Sequence, residues 1–379
     1  MSVKIILLSP AHPLRGGIAA SSERLAQALQ AQGHQVVIYS FSLQYPGFLF
    51  PGKTQYTDDP PPPDLSIKTK LNSINPLNWL TVGRAMAREQ PDRVIVRFWL
   101  PFMGPALGSA LRAMQWFSGK KIKVTALVDN IVPHEQRPGD YWFARYFVRA
   151  CDGFVVMSRS VGEEIRNFTA SKPVDYAPHP IYDNYGDPLD QADARRQLDI
   201  SPDVPLLLFF GFIRAYKGLD LLLQALALQR IVDAGPVHLL IAGECYEDWA
   251  LYQDIIDAHD LGPVVHLHTA FIPAEQVRVF FSAADLVVQP YKSATQSGIS
   301  QIAYHFDKPM VVTRVGGLPE IVTHGQSGYV VAPEAEAIVM AIRDFFNMNR
   351  AAAMRASVQA EKRRFSWDYL VEKLLRYCA

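Results

Sequence analysis

Short apolar runs alternate with helix-patterned segments from one end of this chain to the other, and that alternation constrains its fold more than any other feature. Residues 3–8 form a continuous apolar run, as expected of a parallel strand buried on both faces. A loop over 10–18 follows, with Arg15, Gly16 and Gly17 at its tip. Residues 19–31 then place Leu25, Ala28 and Leu29 at helical spacing before Gly33 closes the segment. Residues 35–39 read as a second strand. A strand, loop, helix and strand in that order begin a doubly wound α/β sheet. The pattern continues with strands at 93–96, 123–128 and 153–157 and helices at 105–117 and 141–150. Residues 45–64 are less regular and include four consecutive prolines, Pro60 to Pro63, which predicts an excursion over the surface.

Around 177–188 the composition shifts to Pro, Tyr, Asp and Asn, and a domain junction is expected there. A second alternation follows, with strands at 206–210, 237–242, 264–267, 286–289 and 310–312 and helices at 218–227, 249–259 and 274–283. A last helix is expected over 367–377, with Ser366 as a candidate N-cap. A chain of 379 residues is long enough for two domains, each with its own core.

Lys plus Arg and Asp plus Glu both number 37, which argues against a nucleic-acid binder that relies on a broad basic field. The cysteines Cys151, Cys245 and Cys378 lie far apart, make no metal-like spacing and suit a reducing compartment. No run approaches the roughly 20 apolar residues of a spanning helix. The run at 3–8 is too short for the apolar core of a signal peptide. Any membrane contact is therefore expected to be peripheral.

Three loops carry chemistry. Arg15-Gly16-Gly17 lies between a strand and a helix, where glycine lets backbone approach a ligand and the helix N-terminus favours an anion; it is equally an ordinary turn. In Gly211-Phe212-Ile213-Arg214-Ala215-Tyr216-Lys217-Gly218, a buried strand ends at a glycine and two cations follow three residues apart. They stand where open α/β sheets bind ligands, and can clamp a pyrophosphate or remain solvated. The segment 291–331 opens a helix at Gly298-Ile299, whose free N–H groups suit a phosphate. It continues through a strand to Gly316-Gly317-Leu318-Pro319-Glu320. Glu320 is there able to take a ligand hydroxyl or to complement a helix dipole. Asp129, His134 and Glu135 follow the strand at 123–128 and are open to acid–base roles. The aromatic run 97–103 reads as buried packing, with an apolar-acceptor site or a membrane-facing ridge as the sharper alternative.

As an ordered set these residues resemble the retaining GT-B glycosyltransferases of family four, also called glycosyl transferases group 1. The matching residues are Gly16-Gly17, residues 211–218, Ile241-Ala242-Gly243-Glu244, Ala284-Asp285, Lys308-Pro309 and 310–320, with Gly325, Gly328 and Pro333 beyond. The resemblance implies an α/β GT-B fold of two Rossmann-like domains with a cleft between them. An acceptor-binding domain is expected over 1–180, a nucleotide-sugar domain over 181–365, and a helix over 366–379 crossing back to the first. It assigns catalysis to Arg214, Lys217 and His134. It assigns donor binding to Gly16, Gly17, Phe271, Ile272, Gln296, Ser297, Gly298, Ile299 and Glu320, with Phe271-Ile272 beside the nucleobase. The family usually carries two glutamates eight positions apart; counted back from Lys308-Pro309, those places hold Ala294 and Ile302. The loop reads Ser-Ala-Thr-Gln-Ser-Gly instead, and Gln296, Ser297 and Gln301 are the polar candidates to replace the carboxylates. Related members often read His-Asn-any-any-Pro-His-Glu where this chain has Asp129 in place of the first His.

The expected activity is hexosyl transfer from a nucleotide-diphosphate sugar to a hydroxyl acceptor, saccharide or lipid-linked, with retention and without metal or other cofactor. By analogy its setting is cell-surface polysaccharide or glycolipid assembly, in the cytoplasm or at the inner face of the membrane. With no evident nucleophilic carboxylate, front-side transfer assisted by the leaving phosphate is expected. The alternatives are a nucleotide-sugar epimerase on the same fold and a non-catalytic nucleotide-sugar-binding protein.

Overall fold

The computed structural model describes residues 2–47, 55–57, 60–132, 138–183, 185–232, 236–294 and 297–376. The chain divides into two compact units, Met1–Pro178 with Trp367–Ala379, and His179–Ser366.

The first unit is built on seven parallel strands. Its elements are β1 (Lys4–Leu8), α1 (Gly17–Ala31), β2 (Gln35–Leu43), β3 (Ser66–Asn72), α2 (Pro76–Arg88), β4 (Arg93–Phe98), α3 (Gly104–Ser118), β5 (Lys123–Val128), α4 (Asp140–Val148), β6 (Gly153–Val156), α5 (Arg159–Arg166) and β7 (Val174–Tyr176). The strand order is β3-β2-β1-β4-β5-β6-β7, and each pairing is parallel. Successive residues of β1 face opposite ways, so Ile6 and Leu8 join one core and Ile5 and Leu7 another. Both faces are covered, which is why such strands read as unbroken apolar runs.

The second unit repeats the logic on six strands. Its elements are α6 (Gln191–Gln197), β8 (Leu206–Phe210), α7 (Leu219–Val232), β9 (His238–Ala242), α8 (Ala250–Ala258), β10 (Val265–His268), α9 (Val277–Ala283), β11 (Leu286–Gln289), α10 (Gly298–His305), β12 (Met310–Thr313), α11 (Leu318–Ile321), β13 (Gly328–Val331), α12 (Ala335–Asn347) and α13 (Ala351–Glu361). The order is β10-β9-β8-β11-β12-β13. The last helix, α14 (Trp367–Arg376), belongs to the first unit, where Trp367, Leu370, Val371 and Leu374 are buried with Ile5, Leu7 and Leu25.

In each sheet the order in which successive parallel strands are laid down reverses once, between β1 and β4 and between β8 and β11. Beyond the carboxyl ends of such strand pairs, connections run opposite ways and leave a crevice for ligands. The aromatic run at 97–103 is packing, since Phe98, Trp99 and Met103 are buried in the core of the first unit.

Candidate functional site

The crevice of the second unit is made by the loops after β8 and β11. After β8 the backbone turns at Gly211 (φ 97°), makes a short 3-10 turn over Ala215–Lys217 and reaches Gly218 (φ 69°). α7 therefore starts at Leu219, one residue after the start expected from sequence. The loop after β11 lies directly on this turn: Lys292 N–H donates to the Tyr216 carbonyl at 2.7 Å. A Cβ on Gly218 would stand 2.0 Å from the Pro290 carbonyl oxygen, so glycine is required there both by conformation and by space.

That turn separates the two cations. Arg214 is exposed, and its guanidinium lies 5.1 Å from the centre of the Tyr246 ring. Lys217 is 7% exposed. A Cβ added to Gly211 would be 2.9 Å from Lys217 Nζ and 3.2 Å from Ile299 Cδ1, which places the ammonium against the strand end and the start of α10. The Tyr291 ring centre is 5.7 Å from Nζ. Burial, with repulsion from Arg214 second, pushes the Lys217 pKa down to about 8. The solvated-cation reading thus fits Arg214 and fails for Lys217.

Lys217, Phe271, Ile272 and Ile299 line one cavity of about 360 Å³, within the roughly 300–1,000 Å³ usual for small-molecule sites. Phe271 is exposed, so a planar apolar face is presented to any ligand there. Ile302, at the second place where the family carries glutamate, also lines the cavity, and Ala294 is half-buried. Tyr185, which the sequence did not single out, and Glu244, which it placed in the matching set without a site role, also line it. Glu244 accepts a 2.9 Å hydrogen bond from the Tyr246 hydroxyl. Its place after β9, at the carboxyl edge of the sheet, was the available signal. The strand ends meet closely: a Cβ on Gly243 (φ 137°) would lie 2.4 Å from the Gly211 carbonyl oxygen.

Arg214, Ser297, Gly298 and Glu320 do not line that cavity. Gly298 opens α10 with the Tyr182 ring at 2.9 Å from where its Cβ would be. Ser297 is buried, and its hydroxyl is 3.2 Å from the Tyr291 hydroxyl instead of capping the helix. The N-terminus of α10 therefore has no side-chain cap, and its first N–H groups keep their affinity for an anion. Glu320 sits in the first turn of the short α11, half-buried. Gln296 lies outside the described residues.

In the first unit, Gly16 (φ 109°) precedes α1, which begins at Gly17 without a side-chain cap. Nothing lies within 4 Å of where a Cβ would stand on either glycine. Behind them, Arg97 is buried beneath α1 and donates to Ser21 Oγ at 2.6 Å. It also holds Asp129 through two 2.8 Å bonds. His134 lies outside the described residues. Among the described residues no group of three or more His, Cys, Asp or Glu is placed to hold a metal ion.

Two parallel sheets, each with a switch point, define an α/β protein of the GT-B fold. A glycosyltransferase from Rickettsia africae ESF-5 superposes with a TM-score of 0.70 at 17% identity, over 99% of this chain and 98% of that one. Anabaena Alr3699/HepE in complex with UDP superposes with a TM-score of 0.70 at 17% identity, over 99% of each chain. The model for Glycosyltransferase Family 4 matches residues 15–185 and that for Glycosyl transferases group 1 matches residues 190–363. The chain belongs to this family of glycosyltransferases. A curated relative, the D-inositol 3-phosphate glycosyltransferase of Segniliparus rotundus, is 31% identical over 238 residues, 60% of this chain and 52% of that protein. Its counterpart in Streptomyces scabiei is 26% identical over 262 residues, 65% of this chain and 58% of that protein. The chain is thus matched to little more than half the length of these relatives.

Proposed function

We propose that this chain transfers a hexosyl group from a nucleotide-diphosphate sugar to a hydroxyl acceptor, with retention at the anomeric carbon. The observation that carries the reading is the buried ammonium of Lys217, set between a strand end and the uncapped N-terminus of α10. A buried lysine without a carboxylate is costly unless an anion joins it. Here the charge that acts on it is that of another cation, Arg214.

Lys217 and Arg214 neutralise the diphosphate, and the charge they meet grows as the sugar departs. The bond from the anomeric carbon to the phosphate oxygen breaks with its electron pair passing to the diphosphate. The acceptor oxygen bonds to the same face of that carbon, and its proton passes to the departing phosphate oxygen. This balance needs no enzyme nucleophile, in keeping with Ala294 and Ile302 at the family's glutamate places. The exposed ring of Phe271 and Ile272 beside it suit the flat nucleobase. Gly16 and Gly17, at an uncapped 15-residue helix, offer a second anion-binding end. Within the same reading, Gln296, Ser297, Gly298, Ile299 and Glu320 bind the donor and His134 assists at the acceptor, a saccharide or lipid-linked hydroxyl. Neither metal nor other cofactor takes part, and the setting is cell-surface polysaccharide or glycolipid assembly at the cytoplasmic face of the membrane.

A uridine diphosphate sugar is the first donor to test, because the Anabaena relative was solved with UDP and with UDP-glucose. The experiment follows sugar transfer and anomeric configuration by NMR, in the wild type and in Lys217→Ala and Arg214→Ala. Retained configuration and a collapse of turnover in both variants support the reading. Normal turnover in both sinks the phosphate clamp. An epimerised nucleotide sugar formed without acceptor would point to the epimerase, and donor binding without turnover on any acceptor to a binding protein.

A further inference from the structure

Helices α2, α3 and α4 pack side by side on one face of the first sheet, α2 on α3 and α3 on α4. Their inner residues, including Val82, Leu111 and Phe147, share one core. The helices approach closely: the Gly83 Cα has the Ala110 carbonyl oxygen 2.6 Å from where a Cβ would be, and Gly108 has the Tyr146 ring at 2.9 Å. A continuous layer results, and its outer face has an unusual composition. Leu77 is 75% exposed, Trp116 77% and Trp142 67%. The three helices carry Arg84, Arg88, Arg112 and Arg145. They contain a single carboxylate, Asp140, and it is 8% exposed. The whole chain balances 37 basic against 37 acidic residues, so the asymmetry belongs to this face. Other surface helices do not share it: α5 carries Glu163 and Glu164, and α14 Asp368 and Glu372.

Cations and rings are interleaved on this layer. The Arg84 guanidinium lies 5.6 Å from the centre of the Phe117 ring and that of Arg112 3.9 Å from the Tyr146 ring. Trp116 and Phe117 stack on each other at 5.1 Å. Exposed tryptophan and leucine gain by leaving water for the headgroup boundary of a bilayer, and arginine by meeting lipid phosphates.

We propose that the α2–α3–α4 face docks on an anionic lipid bilayer. This deepens the membrane setting of the functional reading, but its residues are separate from the cavity. Among the described residues no helix is long and apolar enough to cross a membrane, so the helices lie along the surface. A second copy of the chain is the poorer occupant, since two-fold pairing of this face would set arginines against arginines. An acidic lipid surface meets both the charge and the exposed rings.

The test uses the full chain and vesicles of phosphatidylcholine, alone or mixed with phosphatidylglycerol, at low and high salt. Co-sedimentation is expected with the mixed vesicles at low salt and little with phosphatidylcholine alone. Arg84→Glu with Arg88→Glu, and separately Trp116→Ser with Trp142→Ser, should each lower the bound fraction by about tenfold or more. UDP binding by calorimetry should be unchanged in both variants, which also shows that they are folded. Equal binding to the two vesicle types, no binding at all, or variants that bind like the wild type would overturn the proposal. So would a dimer in sedimentation velocity that the same substitutions dissolve. Loss of transferase activity on every acceptor with vesicle binding intact would count against the functional reading alone.

Discussion

Arg97 on β4 grips both carboxylate oxygens of Asp129 at the end of β5, with Nε and Nη2 each at 2.8 Å. Its remaining nitrogen, Nη1, reaches the first turns of α1 at Ser21 and Ser22. One side chain, 3% exposed, therefore ties the strand ends of the first unit to the helix that follows Gly16-Gly17. A buried guanidinium left without its carboxylate is strongly destabilising. Asp129→Ala should cost about 3 kcal/mol in urea unfolding. The double variant Arg97→Met with Asp129→Leu should recover much of that loss. A cost below about 1 kcal/mol for Asp129→Ala would mean that the serines suffice to hold Arg97.

Lys217 makes donor binding depend on pH. Its pKa falls from 10.5 to about 8 in the folded chain, because burial disfavours the charged form. The unfolded chain binds this proton more tightly, so the penalty is fully present below pH 8 and is relieved as pH rises towards 10.5. A bound diphosphate reverses the preference and stabilises the ammonium. Nucleotide-diphosphate affinity should therefore weaken as pH rises above about 8, with proton uptake on binding detectable by calorimetry in buffers of different ionisation enthalpy. Lys217→Met should bind weakly and lose this pH dependence. A flat profile for the wild type would mean that Lys217 does not meet the phosphates.

Turnover should separate the two cations. Removing a preorganised charge from a developing anion costs about 100- to 1,000-fold, and that is the fall expected in kcat for Lys217→Ala. Arg214 is exposed, so water screens part of its effect. Arg214→Ala should still reduce turnover by about tenfold or more, with a stronger dependence on salt. Steady-state assays over a range of ionic strength read both.

Gly243 is set by two constraints, a φ of 137° and the Gly211 carbonyl 2.4 Å from where a Cβ would be. Gly243→Ala should cost about 1–3 kcal/mol through backbone strain alone. It should weaken nucleotide binding as well, because Gly211 and Gly243 both line the cavity. Gly262→Ala is the control, since nothing lies within 4 Å of a Cβ there and its backbone is ordinary. Equal stability of the two variants by urea titration would remove the argument from close approach.

Much of the architecture was legible. The strands read at 123–128, 206–210 and 286–289 coincide with β5, β8 and β11, and the helix read at 105–117 is one residue short at each end of α3. Eight elements escaped: β3, α2, α5, β7, α6, β13, α12 and α13. α2 hides because its apolar periodicity is blurred, with Leu77 and Leu80 exposed while Gly83 and Ala87 are buried beside Val82 and Met86. β3 is a sheet edge with Ser66, Thr69 and Lys70 exposed and Leu71 its one buried residue, so it lacks the unbroken apolar run of its neighbours. Residues 97–103, which read as buried packing with an exposed apolar ridge as the alternative, are largely buried. The exposed rings stand on α3 and α4, where each alternates with core residues of the same chemistry.

Local sequence determined the order of strands and helices and the turns that join them, because periodicity and a glycine at positive φ are demands a residue makes on its immediate neighbours. It also determined that Arg214 and Lys217 share one loop at the end of β8. Only the tertiary structure decided that Lys217 is buried and Arg214 exposed. Desolvation depends on what surrounds a charge, and the surroundings of Lys217 come from Tyr291 and Ile299, far along the chain on the loop after β11 and the start of α10.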